Sequence, residues 1–253
     1  MKLSLKVNNQ NLTADLIKPA EIKTPLPALI FVHGWRSNRS GNSNRAEQIS
    51  KLGFICLAID LRGHGDSDGL IEEFSRADHI EDIKSAYKYL SNLPEVDENK
   101  IGIIGASYGG YLAAVSLNYL KFNKIVLRVP ALYFDDNFNI PTDKLIKGDP
   151  KAFKTADLSP KNSLALKGLS NFQGEILIIE SEKDKIIPHE VIRNYTAVIE
   201  YRRSLTYKIM KNTPHSLETN QQEKEYITIV TLSLIHISEP TRLRRISYAV
   251  FCL

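Results

Sequence analysis

The 253-residue sequence predicts an α/β fold with a mostly parallel sheet and helices on both of its faces. Two observations carry this prediction. Short runs of continuous apolar residues recur along the chain, as expected of strands that are buried on both faces of a parallel sheet. Stretches with helical spacing separate these runs, and an alternation of strands and helices is typical of parallel sheets.

The predicted elements follow this alternation from end to end. Residues 2–7 and 12–18 alternate apolar and polar side chains around Asn8-Asn9, which predicts a β-hairpin. Six further runs predict strands, at residues 28–32, 54–59, 100–104, 124–129, 175–179 and 205–210. Five stretches predict helices, at about residues 45–52, 78–93, 108–120 and 189–201 and from about residue 220 onwards. Asp78 is expected to cap the second of these helices.

Bulk composition excludes several classes of function. The net charge of +4 comes from scattered lysines and arginines, which indicates a solvated surface and no nucleic-acid partner. The two cysteines, Cys56 and Cys252, do not suggest a disulfide framework. The N-terminus lacks the apolar stretch of a secretory signal, and no segment has the roughly 20 apolar residues that span a bilayer. We therefore expect a cytoplasmic protein without a membrane partner.

The candidate nucleophile is Ser107. The segment Gly105-Ala106-Ser107-Tyr108-Gly109 matches the Gly-x-Ser-x-Gly elbow, in which a tight turn exposes a serine at the end of a strand. A predicted strand precedes the motif and a predicted helix follows it, which is the context that the motif requires. The helix N-terminus favours an anion developing beside the serine. A plain strand-to-helix turn that happens to contain a serine is the alternative.

The candidate general base is His215. A serine hydroxyl becomes a good nucleophile only when a base takes its proton. In the chain order Ser, Asp, His of this architecture, the base follows the last strand, and His215 alone among the six histidines lies there. The other five histidines are interpreted as packed or capping residues or, for the last, as part of a non-native tail: His33, His64, His79, His189 and His236.

The candidate acid is Asp184. It lies in a polar loop between a predicted buried strand and a helix start at Pro188, where its carboxylate can fix the tautomer of His215. Glu182 is the near rival and Asp135 the distant one. A loop carboxylate that merely caps the next helix is the alternative interpretation.

Two backbone N–H groups are expected to form an oxyanion hole. One belongs to Tyr108, the residue after the nucleophile, and the other to Trp35, in the loop after an earlier strand. Such donors stabilise the negative charge that builds on the carbonyl oxygen during acyl transfer. The Trp35 ring is expected either to line the acyl pocket or to pack against a cap.

From about residue 28 to residue 216 the chain resembles the α/β-hydrolase superfamily. The matching pieces are His33-Gly34-Trp35, the segment from Asp60 to Ser67, the Ser107 motif, the Asp184 loop and His215. It looks most similar to small bacterial esterases, dienelactone-hydrolase-like and serine-aminopeptidase-like hydrolases. The resemblance implies a mainly structural role for the Arg-Gly-His-Gly loop. Dienelactone hydrolases proper use cysteine, and dehalogenases use aspartate, at the position of Ser107.

Residues 232–253 are expected not to be native. Residues 232–242 resemble the conceptual translation of a common transposase-type adapter from DNA-sequencing libraries, and residues 246–253 resemble the flow-cell end of the same adapter. We therefore expect a single domain over residues 1–231, with its closing helix truncated, followed by an adapter-derived tail over residues 232–253. A genuine C-terminal amphipathic helix is the alternative.

These residues predict a serine hydrolase that cleaves carboxylic esters of short acyl or aromatic acids, without a metal or cofactor. The one long irregular stretch, about residues 134–174, has the length of a lid or binding element and is expected to form a small cap insertion. A serine peptidase or amidase of the aminopeptidase type is the alternative on the same triad. A third interpretation is a protein of this fold that binds ligands without turning them over. The presence of all three triad residues argues against it.

Overall fold

The computed structural model describes residues 1–141, 144, 158–199 and 205–235. Within these ranges the strands are β1 (Lys2–Val7), β2 (Gln10–Ile17), β3 (Leu26–Val32), β4 (Ile55–Ile59), β5 (Val96–Ala106), β6 (Lys124–Arg128), β7 (Glu175–Ser181) and β8 (Leu205–Met210). They form one sheet in the order β1-β2-β4-β3-β5-β6-β7-β8. β2 pairs antiparallel with β1 and with β4, and every other pairing is parallel.

The helices cover both faces of this sheet. They are α1 (Ser40–Ser50), α2 (Arg76–Ser91), α3 (Tyr108–Ser116), α4 (Leu164–Asn171), α5 (His189–Ala197) and α6 (Asn220–Ile235). α1 and α6 contribute to the apolar core on one face, and the other four contribute to the core on the opposite face. The predicted fold class is confirmed. None of these six helices is both long and apolar enough to cross a membrane.

β3 illustrates why the buried strands have continuous apolar sequences. Ala28, Ile30 and Val32 join the larger core, whereas Leu29 and Phe31 point into the smaller one. Side chains alternate between the two faces of a strand, and each face here is covered by helices. Each of these five side chains is at most 2% exposed. A polar residue at any of these positions would therefore be buried without water.

The start of α2 differs from the prediction. Asp78 was expected to cap the helix, but the cap is Ser75, whose side chain accepts a hydrogen bond from the Asp78 N–H at 3.1 Å. The Asp78 carboxylate in turn accepts the Ser75 N–H at 2.9 Å. Asp78 is therefore the third residue of the helix and closes a capping box, which satisfies two free backbone donors.

The region expected to form a cap contains a helix that the sequence did not reveal. α4 packs against α3, with Ala165, Leu166 and Leu169 fully buried. Residues 142, 143 and 145–157 lie outside the described residues, so the predicted cap over residues 134–174 stays a prediction.

The last helix continues past the boundary at Thr231, where it was expected to be cut off. α6 runs to Ile235, Leu234 is buried in the smaller core, and the Lys124 ammonium donates to the carbonyl of Ser233. Residues 236–253, with His236 and Cys252, lie outside the described residues. The division into a domain over residues 1–231 and a non-native tail therefore stays a prediction.

Candidate active site

The predicted site residues lie along one edge of the sheet. Ser107 directly follows β5, Asp184 follows β7 and His215 follows β8, while Trp35 lies three residues beyond the end of β3. The carboxyl ends of parallel strands meet at the same edge, and ligands of open α/β sheets bind there. The topology therefore brings together side chains that are up to 180 residues apart in sequence.

Ser107 occupies a strained turn between β5 and α3. Its backbone angles are φ 53° and ψ −117°, outside the regions that residues other than glycine usually adopt. Its N–H donates to the carbonyl of Arg128 at 2.9 Å, and its carbonyl accepts the N–H of Ala131 at 3.0 Å. These bonds hold the turn in place, so the hydroxyl stands at the end of the strand.

The two glycines of the motif are required by close backbone contacts. A Cβ on Gly105 would overlap the backbone of Gly109, and a Cβ on Gly109 would overlap the carbonyl groups of Val32 and His33. The elbow therefore packs directly against the end of β3. This contact brings the loop after β3, with Trp35, to the side of Ser107.

Ser107, His215 and Asp184 form a continuous chain of hydrogen bonds. His215 Nε2 lies 3.1 Å from Ser107 Oγ, and His215 Nδ1 lies 2.7 Å from Asp184 Oδ2. The Asp184 side chain is 3% exposed and that of His215 is 17% exposed. With a proton on Nδ1, the imidazole donates to the carboxylate and accepts the serine hydroxyl.

The carboxylate of Asp184 is held in its ionised form. Its Oδ1 accepts the N–H groups of Ile186 at 2.7 Å and Ile187 at 2.9 Å. Burial alone would raise the pKa of Asp184, but the hydrogen bonds from His215 and from these two N–H groups outweigh burial and lower it. A negative charge therefore faces His215 at neutral pH.

The rival carboxylates lie elsewhere. Glu182 bonds to the Lys211 ammonium and the Asn212 N–H, both at 2.8 Å, on the protein surface. Asp135 accepts the N–H of Leu164 at 2.8 Å at the start of α4. In the part of the chain that the structure describes, neither carboxylate contacts His215.

Three of the other histidines are packed residues, as interpreted from the sequence, but His189 is exposed and neither packs in the core nor caps α5. His33 Nε2 accepts the Leu61 N–H at 3.1 Å, and its Nδ1 donates to the Gly34 carbonyl at 2.8 Å. His79 Nδ1 accepts the hydroxyl of Tyr108 at 2.8 Å. The other two are His64, which is buried, and His189, which is exposed beside Glu180.

Stability is expected to fall as the pH drops below about 6.5, the pKa of histidine in an unfolded chain. Burial lowers the pKa of His33 to about 4 and that of His79 to about 3. Between these values and 6.5 the unfolded chain binds protons that the folded chain does not, so acid favours unfolding. Taken alone, the two residues should remove about 3 kcal/mol between pH 6.5 and pH 5. Burial raises the pKa of Asp82 to about 6, so its carboxyl takes up a proton in the folded chain over this interval and offsets part of the loss.

Urea unfolding at several pH values measures this loss. In His79→Gln, which retains an amide for hydrogen bonding, the loss over the same pH interval should be smaller than in the wild type by about 1.5 kcal/mol. A wild-type unfolding free energy that stays constant from pH 6.5 to pH 5 would contradict the assignment of both histidines as neutral.

The expected oxyanion donors lie beside the nucleophile. Tyr108 begins α3, and neither its N–H nor that of Trp35 donates to another residue in the described ranges. The Trp35 ring packs edge-on against the rings of Tyr108 and His64, at centroid distances of 5.1 Å and 5.4 Å. This cluster fixes the backbone that carries both N–H groups.

A cavity of about 570 Å³ opens at Ser107 and His215. Its wall includes Trp35 and two arginines, Arg45 and Arg128. Neither arginine was predicted from the sequence as a site residue. The sequence did indicate a possible site role for Arg128, because a charged residue that ends a buried strand lies at the edge of the sheet where ligands bind.

No metal site accompanies this cavity within the described ranges. No group of three or more His, Cys, Asp or Glu side chains there lies close enough to hold a metal ion. The absence of a cofactor stays a prediction.

Two family models match the sequence. The model for X-Pro dipeptidyl-peptidase (S15 family) matches residues 9–121. The model for the BAAT / acyl-CoA thioester hydrolase C terminal matches residues 79–219, more than half of the chain, and includes Ser107, Asp184 and His215. The chain belongs to this family. Like this family, the chain is a member of the α/β-hydrolase superfamily, as the sequence motifs indicated.

Solved structures of low sequence identity share the fold of this α/β-hydrolase. Est1E from Butyrivibrio proteoclasticus, solved with ferulic acid bound, superposes with a TM-score of 0.71 at 18% identity, covering 92% of this chain and 99% of that one. The Pyrococcus furiosus esterase Pf2001 superposes with a TM-score of 0.69 at 19% identity, covering 93% and 90%.

Curated relatives match over parts of their length. The quorum-quenching protein AidA of Acinetobacter baumannii (strain MDR-ZJ06) is 26% identical over 196 residues, which cover 76% of this chain and 58% of that protein. The mitochondrial palmitoyl-protein thioesterase ABHD10 of Homo sapiens is 31% identical over 94 residues, which cover 36% and 29%. This α/β-hydrolase therefore spans less than two thirds of the length of either relative.

Proposed function

We propose that this α/β-hydrolase is a serine hydrolase that cleaves carboxylic esters of short acyl or aromatic acids. One observation carries the proposal. The hydrogen-bonded chain from Asp184 through His215 ends on the Ser107 hydroxyl at the mouth of a cavity of about 570 Å³. This is the arrangement that activates a serine for attack on an acyl carbon, and the cavity has the volume of a small-molecule site.

The first half of the reaction forms an acyl-enzyme. His215 Nε2 takes the proton of Ser107 as Oγ attacks the ester carbonyl, and Asp184 stabilises the imidazolium that results. The N–H groups of Trp35 and Tyr108 stabilise the oxyanion, each contributing about 3–4 kcal/mol. His215 then gives the proton to the departing alkoxide, and the alcohol leaves.

The second half releases the acid. His215 removes a proton from water, which attacks the acyl carbon, and the same two N–H groups stabilise the second oxyanion. Ser107 regains its proton when the acyl–oxygen bond breaks. The net change is ester plus water to acid plus alcohol, so the reaction needs no redox cofactor.

A chain-length series of p-nitrophenyl esters tests this proposal. We expect hydrolysis of p-nitrophenyl acetate, butyrate and octanoate, and we expect the preferred length to report the size of the pocket. Short acyl chains should be preferred, because the pocket wall carries two arginines among its apolar residues. A folded protein that hydrolyses none of the three esters would overturn the esterase assignment.

Peptide or thioester hydrolysis is the second candidate, favoured by the two family matches. One matched model describes a dipeptidyl-peptidase and the other an acyl-CoA thioester hydrolase. The same serine, histidine and oxyanion donors serve amides and thioesters. Aminoacyl p-nitroanilides and acyl-CoA thioesters belong in the same assay, and a higher kcat/KM for either class than for every ester would make it the substrate.

A further inference from the structure

Arg128 is a buried cation without a carboxylate partner at the wall of the active-site cavity. It ends β6 and is 5% exposed. Its Nη2 donates to the His215 carbonyl at 2.7 Å and to Ser181 Oγ at 3.3 Å. Its Nε is buried and has no hydrogen-bond partner. In the part of the chain that the structure describes, no Asp or Glu forms an ion pair with it.

Other arginines that the structure describes form ion pairs with carboxylates. Arg62 pairs with Asp82 at 2.5 Å, and Arg45 pairs with Glu223 at 2.5 Å. Arg76 also lacks an ion pair, but it does not line the cavity. Its guanidinium lies 5.3–5.8 Å from the centres of three aromatic rings, and that of Arg128 lies 5.9 Å from the centre of the Tyr226 ring. Among the described residues, Arg128 is therefore the arginine of the cavity wall that forms no ion pair.

A buried charge without an ion pair is costly, so an anion bound at this position would be stabilised. The carboxylates of Asp184 and Glu223 attract the Arg128 guanidinium from a distance, without forming an ion pair with it. Burial lowers the pKa of Arg128. The ordinary pKa of an arginine is so high that the guanidinium nevertheless keeps its charge at neutral pH. Arg128 lines the cavity, so a ligand in the cavity can supply this anion.

The rest of the cavity wall suits an anion as well. The fifteen residues that line it include Arg45 and Arg128 but no Asp or Glu. Asn38, Asn42 and Ser37 add amide and hydroxyl donors. Of the two arginines, Arg45 is paired with Glu223, whereas Arg128 forms no ion pair with any described residue.

We propose that the substrate carries a second carboxylate, which binds at Arg128 while Ser107 attacks the ester carbonyl. The substrate class is then hemiesters of dicarboxylic acids, since the planar guanidinium matches a carboxylate. The inference rests on the proposed function. The reaction is balanced as above: the acyl–oxygen bond of the hemiester breaks, water supplies the hydroxyl, and a dicarboxylic acid and an alcohol leave.

Matched substrates test the preference. The p-nitrophenyl hemiester of adipic acid and p-nitrophenyl 6-methylheptanoate have the same number of non-hydrogen atoms, and an isopropyl group replaces the carboxylate in the second. The wild type should favour the hemiester in kcat/KM. Arg128→Met should lower the ratio of the two kcat/KM values by about 10- to 100-fold, the value of a charged hydrogen bond.

The ratio of the two kcat/KM values remains informative even in a variant whose activity on both substrates falls. Arg128 also bonds to the loop of His215, so its loss reduces both rates, but the ratio within one variant cancels this effect. Arg128→Lys keeps the charge and should retain part of the preference. Arg193→Met, which removes an exposed charge on α5, should leave the ratio unchanged. Equal rates on both substrates in the wild type would overturn the proposal, as would an unchanged ratio in Arg128→Met.

A binding measurement separates this proposal from the proposed function. Trp35 is the single tryptophan of the chain and lines the cavity. In Ser107→Ala, monomethyl adipate should change its fluorescence saturably, dimethyl adipate should not, and Arg128→Met added to Ser107→Ala should abolish the response. Binding without wild-type hydrolysis of any ester would retain the anion site and reject the hydrolase. Hydrolysis without this binding would reject the anion site alone.

Discussion

Replacement of Ser107 by alanine is expected to lower kcat for p-nitrophenyl butyrate by at least about 10⁴-fold. The variant lacks the atom that forms the acyl-enzyme, while the oxyanion donors and the cavity remain. KM should change little, because the hydroxyl contributes mainly to the transition state. Steady-state kinetics with the uncatalysed rate subtracted measure both constants.

The matched control for this variant is Ser91→Ala. Ser91 ends α2, its hydroxyl bonds to the Lys88 carbonyl of the same helix, and it does not line the cavity at Ser107. This variant should retain wild-type kcat. A Ser107→Ala protein that keeps more than about a tenth of wild-type kcat would show that another group performs the attack.

Asn in place of Asp184 is expected to lower kcat by about 10³- to 10⁴-fold without unfolding the protein. Oδ1 already accepts the N–H groups of Ile186 and Ile187, so the amide oxygen of the asparagine will remain there. Its NH₂ group then faces His215 Nδ1 and donates to it. The proton of the neutral imidazole moves to Nε2, which can no longer accept the hydroxyl of Ser107.

Glu182→Gln provides the control for Asp184→Asn, because Glu182 is the neighbouring carboxylate and makes the same change of charge. It bonds only to surface groups, so its kcat should stay within about two-fold of wild type. Measurements across pH 6 to 9 are informative, since a tautomer defect persists over the whole range. A larger loss in Glu182→Gln than in Asp184→Asn would exchange the roles of the two residues.

Much of the fold could be predicted from sequence because both faces of the sheet are covered. Buried parallel strands produce continuous apolar runs, and the strand from Leu205 to Met210 was predicted to the residue. α4 was missed because Gly168 lies in its middle, where glycine is unfavourable by about 1 kcal/mol. That glycine is needed for tertiary reasons, since a Cβ there would overlap the Ala114 carbonyl of α3.

Some site residues could likewise be predicted from the local sequence, whereas others depend on the tertiary structure. Ser107, Asp184 and His215 carried local signals, namely a glycine turn, a polar loop after a strand and a histidine after the last strand. The structure brings these three side chains within hydrogen-bond distance of one another. Arg128 carried a weaker signal, because its lack of a carboxylate partner depends on which residues the fold places around it.

Labelling with a fluorophosphonate tests the central claim, that His215 and Asp184 activate Ser107, most directly. The reagent reacts with activated serines and leaves a covalent adduct that mass spectrometry locates. We predict one adduct per wild-type chain, on the peptide that contains Ser107, and no adduct in folded Ser107→Ala. Labelling at another residue, or none in folded wild-type protein, would contradict the assignment of Ser107 as the nucleophile.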